Sequence, residues 1–474
     1  MFCLVFSSLI FLFGFLPITL FVYYLSPNLK TKNIVLTILS LFFYAWGEPV
    51  WVVLLILTSI VDYINGTIIG KNLGKWQAKV ALGVSLTVNL GLLVTFKYTD
   101  FFISNINFFS GAHLPLWNVA LPIGISFFTF QTLSYSIDVY RGKVEYQRKF
   151  DDFLMFVALF PELVAGPILR YADIAAQIQY REHTFERFAS GINRFVIGLS
   201  KKVLIANYTG KVATSLLDGN IANLSVVETW FGILMFAFQI YFDFSGYSDM
   251  AIGLARMFGF EYKENFNYPY ISTSITDFWR RWHISLSSFF RDYVYIPLGG
   301  NRKFQIRNII IVWFLTGFWH GASWNFIFWG LYFAVILIFE KIFMLEFLKK
   351  VPVFVARIYA LFLILFGWTL FYFVDVNRLL LFIKSMFGFN SLPFFTDKAS
   401  VILVNNSVLV VIAIIASLPV AKLVKPFINK MFEGTEKQRM YAGIAIAAFN
   451  TVFFIGSAIA LIGTSYNPFI YFRF

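Results

Sequence analysis

The sequence carries little charge, a single sulfhydryl and few histidines, and each scarcity removes a class of function. Only 13% of its 474 residues are charged, about half the roughly 25% of an ordinary soluble domain, so water is not its main solvent. The one cysteine, Cys3, leaves no partner for an internal disulfide and no thiolate cluster for a metal. Of the four histidines, His113 and His183 sit in separate loops, and no HxxxH or CxxC spacing offers a metal site. A Walker loop and a GxSxG elbow are both missing, which leaves ATPase and soluble-type hydrolase readings without support.

Apolar residues are what the chain has in abundance. They make up 59% of it, and they come in runs such as 80–96 and 401–421, close to the ~20 residues a helix needs to cross a bilayer. Candidate spans fall at 4–24, 33–47, 50–69, 79–97, 121–140, 192–216, 227–255, 354–374, 401–421 and 441–463. All are expected to be helical, because lipid offers no hydrogen bonds to an open backbone. The first span lacks a basic leader and an A-x-A-like cleavage site, so it is expected to be a retained helix. The expected fold is an all-α polytopic membrane protein, a single transmembrane domain over 1–474.

The formal net charge of +13 does not point to nucleic acid. Basic loops at Lys30 to Lys32, 71–79, 141–149 and 422–439 alternate with loops poor in Lys and Arg at 99–120 and 218–226. That alternation is the positive-inside pattern, with the basic set on the cytoplasmic side. Aromatic residues, 20% of the chain with 61 Phe and 12 Trp, suit lipid-facing surfaces and interfacial belts.

Two segments do not fit a simple crossing. Residues 151–169 carry Pro161, Glu162, Gly166 and Pro167 between two basic stretches, which a re-entrant or broken helix resolves. Residues 308–340 are too long for one ordinary span and are interrupted by His320-Gly321-Ala322-Ser323. A re-entrant or bent passage around His320 is expected, with one long tilted helix as the alternative. The polar stretch 256–307, rich in Phe, Trp and Tyr, is expected to lie in the interface or dip into the membrane.

An ionisable residue deep in an apolar stretch is a functional hypothesis by default, and His320 in Gly317-Phe318-Trp319-His320-Gly321 is the leading one. A neutral imidazole can take a proton from an attacking hydroxyl and return it to a leaving group, which is acyl-transfer chemistry without a metal. The ordinary alternative is a core histidine bonded to a carbonyl. His283 follows Trp279-Arg280-Arg281-Trp282, with Arg291 after it. Arg280, Arg281 and Arg291 suit a phosphate-bearing donor, with Trp279 beside them, or else they snorkel from an interfacial helix. Tyr241, Asp243 and Ser245, with Asp249 beyond, and Glu162 in Pro161-Glu162-Leu163 either line a polar cavity or satisfy neighbouring arginines.

These residues resemble the membrane-bound O-acyltransferase superfamily (MBOAT), in particular its bacterial alginate O-acetyltransferase branch. The resemblance rests on Leu121-Pro122-Ile123-Gly124-Ile125-Ser126-Phe127, on Pro161-Glu162-Leu163-Val164-Ala165-Gly166-Pro167-Ile168 and on Tyr241-Phe242-Asp243-Phe244-Ser245-Gly246-Tyr247-Ser248-Asp249. It continues through Asp277-Phe278-Trp279-Arg280-Arg281-Trp282-His283, Tyr293-Val294-Tyr295-Ile296-Pro297-Leu298-Gly299-Gly300-Asn301-Arg302, the His320 motif and the tail from Tyr466 to Phe474.

The resemblance implies about 10–12 transmembrane helices in a ring around a thinned core with re-entrant segments, core motifs at about 121–340 and peripheral helices at 1–97 and 354–463. It makes His320 the essential histidine and His283 the second, upstream one. It implies no bound cofactor, an acyl thioester such as acetyl-CoA as donor, a polysaccharide acceptor, and an SGNH-type acetyltransferase partner outside a bacterial cytoplasmic membrane. Two other readings remain at this stage. One is D-alanyl transfer to teichoic acid from a carrier-protein thioester, and the other is a transporter without chemistry, against which stands the absence of paired broken helices in two halves.

Overall fold

A computed structural model describes residues 4–163, 166–389, 393–463, 467, 469 and 470. Val164 and Ala165 of the Pro161 motif, and Tyr466, Pro468 and the four final residues of the tail, lie outside the described residues. Each of the ten expected spans coincides with helix, and no strand occurs among the described residues. Among the described residues, six helices are long and apolar enough to cross a bilayer, and a seventh span arises if Asp397–Asn405 and Ser407–Ser417, bent by 56°, count as one. The protein is an integral, multi-pass membrane protein. The remaining apolar helices are shorter or more polar than an independent span requires, as in Ile125–Tyr140, whose 16 residues are almost all buried.

The chain folds as two units, Met1–Phe195 with Met250–Lys263, and Val196–Asp249 with Glu264–Phe474. In the first, Trp51–Lys71, Trp76–Ser110 and Ile125–Tyr140 pack around a buried carboxylate. Asp62 accepts from Ser85 Oγ at 2.5 Å and from Asn89 Nδ2 at 2.8 Å, and Thr132 Oγ1 donates to Asn89 Oδ1 at 3.1 Å. Polar groups in lipid must find such partners, and here helices separated in sequence supply them.

The basic loops of this unit gather at one end. Tyr63 Oη donates to the Arg148 carbonyl at 2.8 Å, Asn33 Nδ2 donates to Asp152 at 3.3 Å, and Gly70 lies directly against the Tyr146 ring. At the far end, Tyr44 Oη donates to the Ile123 carbonyl at 2.8 Å, and Asp100 accepts from the amides of Trp117 and Asn118. The lysine-poor loop 99–120 therefore lies opposite the basic set. The described part of 151–169 is a broken helix: Phe150–Ala158 stops at Leu159, and the short turn Phe160–Leu163 follows.

In the second unit the segment around His320 is a hairpin of two arms, Gln305–His320 and Trp324–Phe339. A Cβ on Gly317 would come within 2.2 Å of the Phe326 carbonyl oxygen, and one on Gly330 within 2.3 Å of the Trp313 carbonyl oxygen. Pairing 313 with 330 and 317 with 326 is antiparallel, so the arms fold back at residues 321–323. The bent passage is present, and the single tilted helix is not. The stretch 256–307 is not a polar surface layer: it forms Ile275–Arg281 and Ile284–Phe290 and buries Phe278, Trp279, Trp282, His283 and Leu286. Every third or fourth position of those short helices is apolar, and that face is core.

Candidate active site

His320 is the last residue of the first arm, half-buried at the fold-back. Its ring meets Trp329 edge-on with centroids 5.0 Å apart and Phe371 at 5.3 Å, both nearly perpendicular. Trp319, the preceding residue, lies at 5.0 Å from the His320 ring and at 6.2 Å from that of His283. The two histidines are thus joined through one indole, although 36 positions (320 minus 283, less one) separate them in the chain.

His283 is 3% exposed and sits between the two short helices with φ 45° and ψ 55°. A left-handed backbone at a residue with a side chain is uncommon and costs energy, and such strain tends to be kept where a site needs it. Asn265 holds the conformation from a distance. Its carbonyl accepts from Ile284 N at 2.9 Å, and its Oδ1 accepts from Ser285 N at 3.0 Å and Ser285 Oγ at 2.9 Å. His283 lies outside the membrane-spanning helices, and burial pushes its imidazole down to about 4, so the ring is neutral at physiological pH.

A cavity of about 260 Å³ runs beside the hairpin. Thr316 and Trp313 line it from the first arm, Leu337 from the second, Lys341 from the turn just beyond it, and Trp279 and Arg280 from Ile275–Arg281. Arg291, Thr276, Ser287 and Tyr295 also face it. Thr316 lies one helical turn before His320, whereas Lys341 is 17 residues beyond Trp324, or about 25 Å along a helix. The cavity therefore extends from the end remote from His320 to within a turn of it. Trp279 contacts Trp313 at 4.6 Å and Trp329 at 5.6 Å, and Trp329 in turn touches His320. One indole separates the aromatic wall of the cavity from the histidine.

The cavity is cationic. Arg291 Nε is paired with Asp292 Oδ1 at 2.7 Å, whereas Arg280 and Lys341 form no ion pair among the described residues and are close enough to repel each other. Two uncompensated cations over an apolar floor suit a ligand with an anionic head and a slender apolar arm.

The remaining sequence candidates lie elsewhere. Arg281 does not line the cavity: its Nε binds Asp277 Oδ1 at 2.9 Å, which fixes its own helix. Asp243, wholly buried, is ion-paired with Lys202 at 2.6 Å and accepts from Ile470 N at 2.8 Å, so it anchors the tail. Tyr241 packs among Tyr270, Phe266 and Trp282. Ser245 Oγ is buried with no hydrogen-bond partner among the described residues. None of these three lines the cavity. Glu162 belongs to the other unit, in Phe160–Leu163, with both carboxylate oxygens buried and without a hydrogen-bond partner among the described residues. Sequence reasoning missed Trp329, Asn265, Glu340 and Lys341. Only the last two carried a signal, as charges ending an apolar run.

Residues 146–383 match the family model for membrane-bound O-acyltransferases, MBOAT. The chain is 43% identical to the probable alginate O-acetylase AlgI of Azotobacter vinelandii over 78% of its own length and 75% of that protein's. It is 37% identical to the probable alginate O-acetylase AlgI of Pseudomonas putida over 99% of its own length and the whole of that relative. The chain belongs to the membrane-bound O-acyltransferase family. It is an enzyme of acyl transfer, and the matched span contains both histidines and every residue named around the cavity. A peptidoglycan O-acetyltransferase of Helicobacter pylori is 35% identical over 82% of this chain and 81% of that protein.

Proposed function

We propose that this MBOAT protein takes an acetyl group from a thioester donor, acetyl-CoA in the first instance, for O-acetylation of an exported cell-envelope polysaccharide. The placement of Trp329, with the cationic cavity's aromatic wall on one side and His320 on the other, carries this reading. The donor's phosphates lie against Arg280, Arg291 and Lys341, and its thioester reaches toward His320 along Trp279 and Trp313. His320 accepts the proton of an incoming hydroxyl as the hydroxyl oxygen attacks the thioester carbonyl. The carbon–sulfur bond then breaks, and the proton passes to the thiolate. His283, neutral and fixed by Asn265, sets the position of Trp319 beside it.

Relatives named for alginate and for peptidoglycan acetylation support a glycan destination, since both are polysaccharide-based polymers. A bacterial cytoplasmic membrane with the donor on its cytoplasmic side is the setting of this reading, and the alternation of basic with lysine-poor loops supports it. An SGNH-type acetyltransferase outside completes transfer to the polymer.

The test is polysaccharide-bound acetate in cells carrying the wild type, His320→Ala or His283→Ala at matched membrane expression. Loss of a general base lowers the rate by about a hundredfold or more, so His320→Ala should leave acetate near background. Unchanged acetate in that variant would remove His320 from the chemistry. Loss of D-alanine esters instead of acetate would replace the acyl group assigned here.

A further inference from the structure

Glu340 is fully buried where the second hairpin arm ends and the helix loosens into the π-turn Glu340–Met344. Its carboxylate reaches a different part of the chain. Oε1 accepts from Ile275 N at 2.6 Å, and Oε2 accepts from Thr276 N and from Thr276 Oγ1, both at 2.7 Å. These are the first two amides of Ile275–Arg281, and Ser274 Oγ accepts from the third, Asp277 N, at 3.0 Å. A helix of seven residues is too short to hold itself, and its leading amides have no partners within the helix. Its orientation is therefore set by what fastens it.

What that helix carries is the cavity's inner surface. Trp279 packs against Trp313 and Trp329, and Arg280 lines the cavity beside Lys341, the residue next to the clamp. Glu340 and Lys341 thus act in succession: one holds the short helix, and the next faces the ligand.

We propose that Glu340 is a positioning residue of the donor site, a clamp that fixes Ile275–Arg281 on the hairpin so that Arg280 and Lys341 converge on one anion. A carboxylate is required because both of its oxygens accept. In the amide of a glutamine, one of those positions becomes an N–H group facing another N–H. The inference rests on the donor-site reading only for its kinetic consequence. The geometric consequence stands without it.

Two measurements on the full-length protein in lipid nanodiscs test the clamp separately from that reading. The first needs no activity. In a Cys3→Ser background, Arg280→Cys is labelled with a small maleimide, with and without Glu340→Gln. Release of the helix should change the labelling rate about tenfold, and an unchanged rate overturns the clamp. The second compares kinetics with acetyl-CoA. Glu340→Gln should raise the donor KM about tenfold with a smaller change in kcat, whereas a uniform fall in kcat at unchanged KM would mark a merely structural role and overturn the positioning role. Thr276→Val, which removes one donor to the same carboxylate, covers the case in which Glu340→Gln does not accumulate. It should give a smaller shift in the same direction, and no shift in either readout overturns the proposal. Where both variants accumulate, the double variant should be no worse than Glu340→Gln alone, because the two act through one contact. A wild type inactive with acetyl-CoA whose labelling still responds to Glu340→Gln would reject the donor and keep the clamp.

Discussion

The ring of Trp329 stands almost perpendicular to that of His320, at an interplanar angle of 86° with centroids 5.0 Å apart, and reaches Trp279 on the cavity wall at 5.6 Å. An aromatic edge against an aromatic face is a directional contact. Trp329 is therefore placed to fix the His320 ring while bracing Trp279 of the cavity wall.

Replacing Trp329 separates these roles. Trp329→Phe keeps an aromatic edge in place and should retain most polysaccharide-bound acetate. Trp329→Ala leaves the histidine unsupported and should lower acetate by at least about tenfold, with a stability loss on the order of 3–5 kcal/mol for a buried indole. Equal acetate in the two variants at equal membrane abundance would deny Trp329 a place at the site.

The hairpin depends on two glycines. Gly317→Ala and Gly330→Ala would each drive a methyl group into a facing backbone carbonyl, whereas Gly83→Ala meets nothing within 4 Å. Overpacking of this kind costs about 1–3 kcal/mol, and close backbone approach is how helices in lipid bind one another. Thermal denaturation of the solubilised protein should show a lowered midpoint for the first two and none for the third. Acetate should fall in parallel, because the fold-back carries His320.

Acidification should destabilise the protein through two histidines. His183 is held at about 4, first by burial and then by the Lys32, Arg181 and Arg187 cations, and His283 at about 4 by burial. Both lie below the ordinary 6.5, so between pH 6.5 and 4 the folded chain binds fewer protons than the unfolded one. Stability from these groups is complete above 6.5 and is lost as pH falls through that window. His283→Gln or His183→Gln should make the decline shallower, as followed by the midpoint of thermal inactivation between pH 4 and 7.5. A decline as steep as that of the wild type in both would show that neither ring is held neutral.

Much of the architecture was legible in the chain because lipid permits few solutions. A run of about 20 apolar residues must be helical, its flanking lysines report a side, and an imidazole amid indoles stands out against that background. The ten spans, the broken segment at 151–169 and the interruption at His320 all follow from such local signals.

Other relationships required the tertiary structure, because they join positions that no periodicity connects. The meeting of His283 with Trp319, the capping of Ile275 and Thr276 by Glu340, and the separation of Arg280 from its neighbour Arg281 depend on which face of a short helix meets which partner. In a seven-residue helix, adjacent side chains diverge by about 100°, so one arginine reaches the cavity while the next pairs with Asp277. The sequence by itself determined that this is a polytopic helical protein with a histidine-bearing break in an apolar stretch. Only the packing of helices against one another decided which cations, indoles and carboxylates surround that break, because in lipid such contacts arise from close fit and satisfied polar groups, and neither is written in a run of apolar residues.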